Sequence, residues 1–219
     1  MAGTDTQDLI DRLAGALAPV RRLPAPGWRL ARWLAVSVPA AAAVALGYGL
    51  RPNLPALLAQ PVFVLELAAA ALTALAAAYA ALCAVVPDQP GWKLLLPVAP
   101  LALWLGTLGQ QCIAVALHVG PAGLVVTQDW MCLPAIALGG AVPAVAIVAL
   151  LRRSRGVRTG VACVCGALAA AALGAAALRL YHPQDAAVMV LIWQAGSVAL
   201  LSLLGGGVLR LAAPTGRAA

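Results

Sequence analysis

The chain has 219 residues, of which 63% are hydrophobic and only 10% charged, with a mean hydropathy of +0.96; this balance excludes a water-soluble globular core. Its 14 Lys and Arg against 7 Asp and Glu leave a net charge of +7, which suits either a nucleic-acid surface or anionic lipid headgroups. Where the charges fall along the chain decides between the two, and it excludes the first.

The first element is the polar stretch "TDTQDLIDRLAGALAPVRRLP". Thr6 is placed to cap a helix, Asp8 and Asp11 fall in or near its first turn where the helix dipole favours them, and Pro19 ends it. At helical spacing Leu9, Ile10, Leu13, Ala16, Leu17 and Val20 share an arc of about 120°, with Gln7, Asp8, Asp11, Arg12 and Arg22 outside it. Such an amphipathic helix can lie on a membrane surface, pack on a bundle, or dock into a groove on a soluble partner. Three Asp and one Arg around the helix argue against the first, because surface helices are usually rich in Lys and Arg.

Six apolar runs follow, each of about 18 residues or more, the length needed to cross ~30 Å of hydrocarbon. They cover roughly 33–50, 62–86, 94–117, 131–151, 159–180 and 187–209, divided by "RPNLPALLAQP", "PDQPGWK", "HVGPAGLVVTQDW", "RRSRGVR" and "YHPQD". The fold class is therefore all-α: a polytopic bundle of six transmembrane helices behind a short N-terminal amphipathic helix. The expected segments are 1–32 before the membrane, 33–210 within it, and a tail at 211–219. The first run starts only after Pro24 and Pro26 and is too long for a signal-peptide core, so it is expected to stay attached.

In an arrangement with the N-terminus inside, Arg12, Arg21, Arg22, Arg29, Arg32, Lys93, Arg152, Arg153, Arg155, Arg158, Arg210 and Arg217 lie on one side. Arg51 and Arg179 lie on the other, a split of 12 to 2. This is the positive-inside pattern, so the charge reports orientation and headgroup contact, and both termini are expected in the cytoplasm.

Within the spans Glu66 is the sole acid, and an intramembrane carboxylate is costly enough to mark a functional candidate. Arg179 lies near the same face, so an ion pair, or snorkelling of each side chain to the interface, accounts for both without a functional role. His118, Asp129, His182 and Asp185 add polar groups there but show no close metal-ligand spacing such as H-x-x-x-H and no nucleophile with a base. Trp28, Trp33, Trp92, Trp130 and Trp193 sit near span ends, where indoles anchor at headgroup level. With no phosphate-binding loop and no dinucleotide fingerprint, neither an enzyme nor a bound cofactor is expected.

The five cysteines divide by side. Cys83, Cys163 and Cys165 map to the cytoplasmic ends of their spans, whereas Cys112 and Cys132 flank the loop "HVGPAGLVVTQDW" on the oxidising side. This pair could form a reversible disulfide, bind a thiol-reactive metal transiently, or simply pack helices. Cys112 lies six residues before His118, roughly 9 Å of helical rise into its span, and a disulfide needs Cα atoms within about 7 Å. Bridging then requires an early end to span three or a loop that dips inward.

The ordered set "QDLIDRLAGALAPVRRLPAP", "QPVFVLELAAAALTALAAA", "GQQC", "DWMC" and "LRLYHPQDAAVMVLIWQ" resembles the NrsF-like family of bacterial inner-membrane anti-sigma factors across essentially the full chain. The resemblance implies a non-enzymatic regulator in the inner membrane. It would hold an extracytoplasmic-function sigma factor inactive and release it when oxidants or thiol-reactive metals act on the outer side, with no direct contact to nucleic acid. The family's paired cysteines match Cys112 and Cys132; the sigma factor is expected to bind the apolar face within residues 8–20, through Leu9, Ile10, Leu13, Leu17 and Val20 with Asp8 beside them. One position departs: relatives often carry a cysteine directly after the histidine of the last outer turn, and here Pro183 follows His182. The competing class is a small transporter or channel with Glu66 and Arg179 along its path, against which stands the confinement of polar residues to span ends. A thiol oxidoreductase would need a Cys-x-x-Cys, which the chain lacks.

Overall fold

The computed structural model describes residues 2–16, 23–120, 124, 126, 128–152, 158–183 and 186–212. Helices α1 (Ala2–Gly15), α2 (Pro26–Tyr48), α3 (Leu54–Leu58), α4 (Pro61–Ala84), α5 (Val98–Val119), α6 (Cys132–Arg152) and α7 (Thr159–Tyr181) follow in order. A short α8 (Ala187–Met189) then runs through a π-helical turn at Val190–Ala195 into α9 (Gly196–Ala212). Six helical stretches are long and apolar enough to cross a membrane, the third gaining length from a 3-10 turn at Gly91–Leu95 and the sixth joining α8 to α9. The chain is thus an all-α, six-helix membrane bundle.

Proline and glycine set the boundaries. Proline opens α2 and α4, where its missing N–H would have had no intrahelical partner anyway. Gly49 ends α2 at φ 86°, a left-handed conformation that a side chain would disfavour. The segment "RPNLPALLAQP" between the first two spans folds as α3.

Two boundaries differ from the sequence expectation. Helix α2 starts at Pro26 instead of near 33 and takes Arg29 and Arg32 into its first turns. This is tolerated because Arg29 is buried with its Nη2 donating to the carbonyl of Leu150 at 2.6 Å, so the polar head of a long side chain finds a helix C-terminus. Helix α1 starts at Ala2, which puts Thr6 inside the helix and not at its cap. Leu17, Pro19, Val20, Arg21 and Arg22 lie outside the described residues.

The bundle is organised around α7, which packs against α2, α4, α6 and α9, while α5 lies outside, on α4 and on the π turn. Composition explains the centre: α7 reads "TGVACVCGALAAAALGAAALRLY", and in lipid, where apolar surface gains nothing by hiding, small side chains associate by close backbone approach. At the α6–α7 crossing a Cβ on Gly140 would sit 2.7 Å from the carbonyl oxygen of Ala170, and one on Gly139 would sit 3.2 Å from Cα of Gly174. Larger side chains fill the space above and below: Trp104, Leu108, Ile136 and Leu178 toward one end, Trp33, Leu82 and Ile147 toward the other. Trp33 is 1% exposed and donates its indole N–H to the carbonyl of Pro143 at 2.9 Å. It is a core residue, not the headgroup anchor its sequence position suggests, because α2 begins a turn or more ahead of it.

Candidate functional site

Apart from the bonds of Arg29 and Trp33 from α2 to α6, the described polar side chains that bridge helices gather at the bundle end where α7 terminates and α4 and α6 begin. Glu66 lies little more than a turn inside α4, Arg179 in the last turn of α7, and both are buried. Arg179 Nη2 meets Glu66 Oε2 at 3.1 Å, and its guanidinium lies 4.9 Å from the ring centroid of Phe63. The other carboxylate oxygen, Oε1, accepts a hydrogen bond from Nε2 of Gln111 on α5. One acid thus joins α4, α5 and α7, and its charge is matched where leaving it alone would be most costly. In a transport path these oxygens would need to face a passage; here Gln111 and Arg179 occupy them.

A second cluster lies on the same end. The Asp129 carboxylate, just ahead of α6, accepts from the thiol of Cys132 at 3.2 Å, and the same oxygen lies 2.8 Å from His182 Nε2 beyond the end of α7. The main chain around the cluster is fixed from two directions. Arg51, buried after α2, donates from Nη1 to the His182 carbonyl at 3.2 Å and from Nε to Asn53 Oδ1 at 3.1 Å, and its backbone N–H bonds Leu180 O. Cys132 N–H bonds Asp129 O at 3.3 Å. A small recess between Cys132, Arg179, His182 and Gln194 separates the two clusters; Gln194, in the π turn, donates to Ala175 O at 2.7 Å.

The two cysteines singled out by sequence have different settings. Cys132 is buried in this cluster; Cys112 is half-buried on α5, outside it, and both thiols are free. Helix α5 packs on α4 and the π turn, with no extended contact to α6. Asp185 lies outside the described residues. At the other end of the sequence, every described residue of the candidate docking helix from Thr6 onward is exposed, including Asp8, Leu9, Ile10 and Leu13; Leu17 and Val20 are not described.

Sequence reasoning missed Gln111, and it named Asp129, Cys132 and His182 without bringing them together. Gln111 stands in an apolar span but carries no charge, so a search for intramembrane ions passed over it. Asp129 and Cys132 are three apart, a spacing that brings side chains together over a helical turn, whereas the pattern sought was a histidine pair. His182 comes 53 residues after Asp129, and only the antiparallel packing of α6 on α7 returns it to the same end.

The exposed amphipathic helix, the six apolar helices and the polar clusters gathered at one end define a polytopic membrane protein with an exposed N-terminal helix. A family described as "Negative regulator of sigma F" (NrsF) matches residues 13–212, and the chain belongs to that family, whose description implies a sigma factor as partner. No curated protein and no solved structure matches the chain.

Proposed function

We propose that the chain is a membrane-bound anti-sigma factor that sequesters an extracytoplasmic-function sigma factor at the cytoplasmic face of the inner membrane. It releases the factor when oxidants or thiol-reactive metals act at the opposite face, and it works by binding alone, without catalysis or a cofactor. One observation carries the reading: α1 presents Leu9, Ile10 and Leu13 at 54%, 50% and 61% exposure, on a chain whose family negatively regulates a sigma factor. An apolar stripe outside the bilayer has the spacing of a helix that fills a groove. Asp8 and Asp11 beside it favour a groove with a basic rim.

Orientation follows from the 12 to 2 division of Lys and Arg, which puts α1 and both termini in the cytoplasm. Cys132 and Cys112 face the other side and read the stimulus, and their modification shifts the outer ends of α5 and α6. A coupling of only about 1.4 kcal/mol between the two faces weakens the sigma factor tenfold. The test is co-purification of the full chain with the sigma factor, wild type against Leu13→Asp. The charged variant is expected to lose the partner while remaining in the membrane; full retention would remove α1 from the mechanism.

A further inference from the structure

The cluster of Asp129, Cys132 and His182 has more in it than a hydrogen-bonded carboxylate. A carboxylate oxygen, a thiol sulfur and an imidazole nitrogen lie within 4.8 Å of one another, with the carboxylate at 2.8 Å from His182 Nε2 and 3.2 Å from Cys132 Sγ. Ligands bound about 2.0–2.3 Å from one tetrahedral ion stand about 3.3–3.8 Å apart, so side-chain shifts of under about 1 Å turn this contact into a ligand set. The donor types are decisive. Calcium and magnesium require an all-oxygen shell, whereas one sulfur, one nitrogen and one oxygen suit a borderline divalent ion. Asp129 and Cys132 are nearly inaccessible, while the His182 side chain keeps 23% exposure and opens the cluster to the end of the bundle. Among the described residues, the cation lining the adjoining recess is Arg179, matched by Glu66, while Arg51 reaches the main chain of His182.

We infer that Asp129, Cys132 and His182 form a three-ligand binding site for a divalent ion of the zinc class, with the fourth position left to water. On binding, the S–H bond of Cys132 breaks and its proton leaves to solvent as the sulfur–metal bond forms. His182 binds through the nitrogen lone pair of its neutral ring, and Asp129 gives a carboxylate oxygen. Two anionic ligands and the divalent ion sum to zero, the charge least costly at the edge of a bilayer. Because Asp129 and Cys132 stand at the start of α6 and His182 just past the end of α7, the ion adds a metal bridge at the ends of two helices that already pack along their length. The site names the chemistry by which the face is read; it rests on the proposed sensing role for its consequence, though not for binding itself.

The test is titration of the reduced, detergent-purified full chain with cobalt(II), followed by displacement with zinc(II). Wild type is expected to give saturable equimolar binding with a thiolate-to-cobalt charge-transfer band and tetrahedral d–d bands. Asp129→Asn and His182→Gln each weaken it at least about tenfold, and Cys132→Ser abolishes the charge-transfer band. His182→Cys restores a donor, keeps binding and strengthens that band, which separates lost ligation from lost folding; Cys163→Ser behaves as wild type. No saturable band in the folded wild type, or a band that survives Cys132→Ser or depends on Cys112 instead of His182, overturns the assignment. Sigma-factor retention is measured on the same samples. Cobalt bound without release overturns the sensing role and leaves the site; retention without cobalt binding overturns the site and leaves the partner.

Discussion

Glu66 and Arg179 show how much one residue can determine in a bundle made mostly of alanine. Both are buried, and each is the other's charge partner, so removing one strands an ion in a low-dielectric setting at a cost of about 3–5 kcal/mol. Glu66→Leu is therefore expected to lower thermal stability in detergent sharply, and Glu66→Leu with Arg179→Leu to recover much of the loss; equal damage from single and double variants would contradict the pairing. Glu66 was legible as the only acid within a span, and Arg179 as its neighbour by topology. Gln111, which completes the carboxylate's bonds, was not, because a neutral amide leaves no mark on a charge or hydropathy profile. The Asp129–Cys132 spacing was visible in the sequence, but its meaning depends on His182, which is local only in three dimensions.

At the scale of elements, the spans were legible because an apolar run long enough to cross a bilayer has few other uses. Their order of burial was not. Mean hydropathy sets α7, the central helix, apart from α5 but not from the equally apolar α6 and α9, which are far less buried; the distinction lies in where small residues coincide across a crossing. Gly140 meets the Ala170 carbonyl with no room for a Cβ, while Gly106 on α5 faces open space. Gly140→Ala is expected to destabilise by about 1–3 kcal/mol and Gly106→Ala to stay within about 0.5 kcal/mol of wild type, both read by thermal unfolding in detergent. Equal effects would mean that the α6–α7 crossing is looser than its backbone contacts imply. The early start of α2 was hidden by Arg29 and Arg32, since a charge before an apolar run reads as the membrane boundary unless the position of a receiving carbonyl, here Leu150 O, is known.

For the whole molecule, the account joins two ends of one bundle. The exposed stripe of α1 precedes α2, and the ligand cluster lies where α6 begins and α7 ends, with α7 in contact with most of the other spans. That arrangement lets a change at α7's C-terminus bias the packing of the entire bundle, which is what coupling between distant sites requires. The orientation has its own check: reporters fused to the N- and C-termini are both expected to report the cytoplasm, and a split result would undo the assignment of faces. Central to the account is that the stimulus at one end weakens the partner at the other. The most direct measurement is the affinity of the purified sigma factor for the reduced, membrane-reconstituted chain, before and after saturation with zinc(II). The account predicts a weakening of at least about tenfold, which is about 1.4 kcal/mol of coupling, and its loss in His182→Gln; an affinity unchanged by the metal would contradict it.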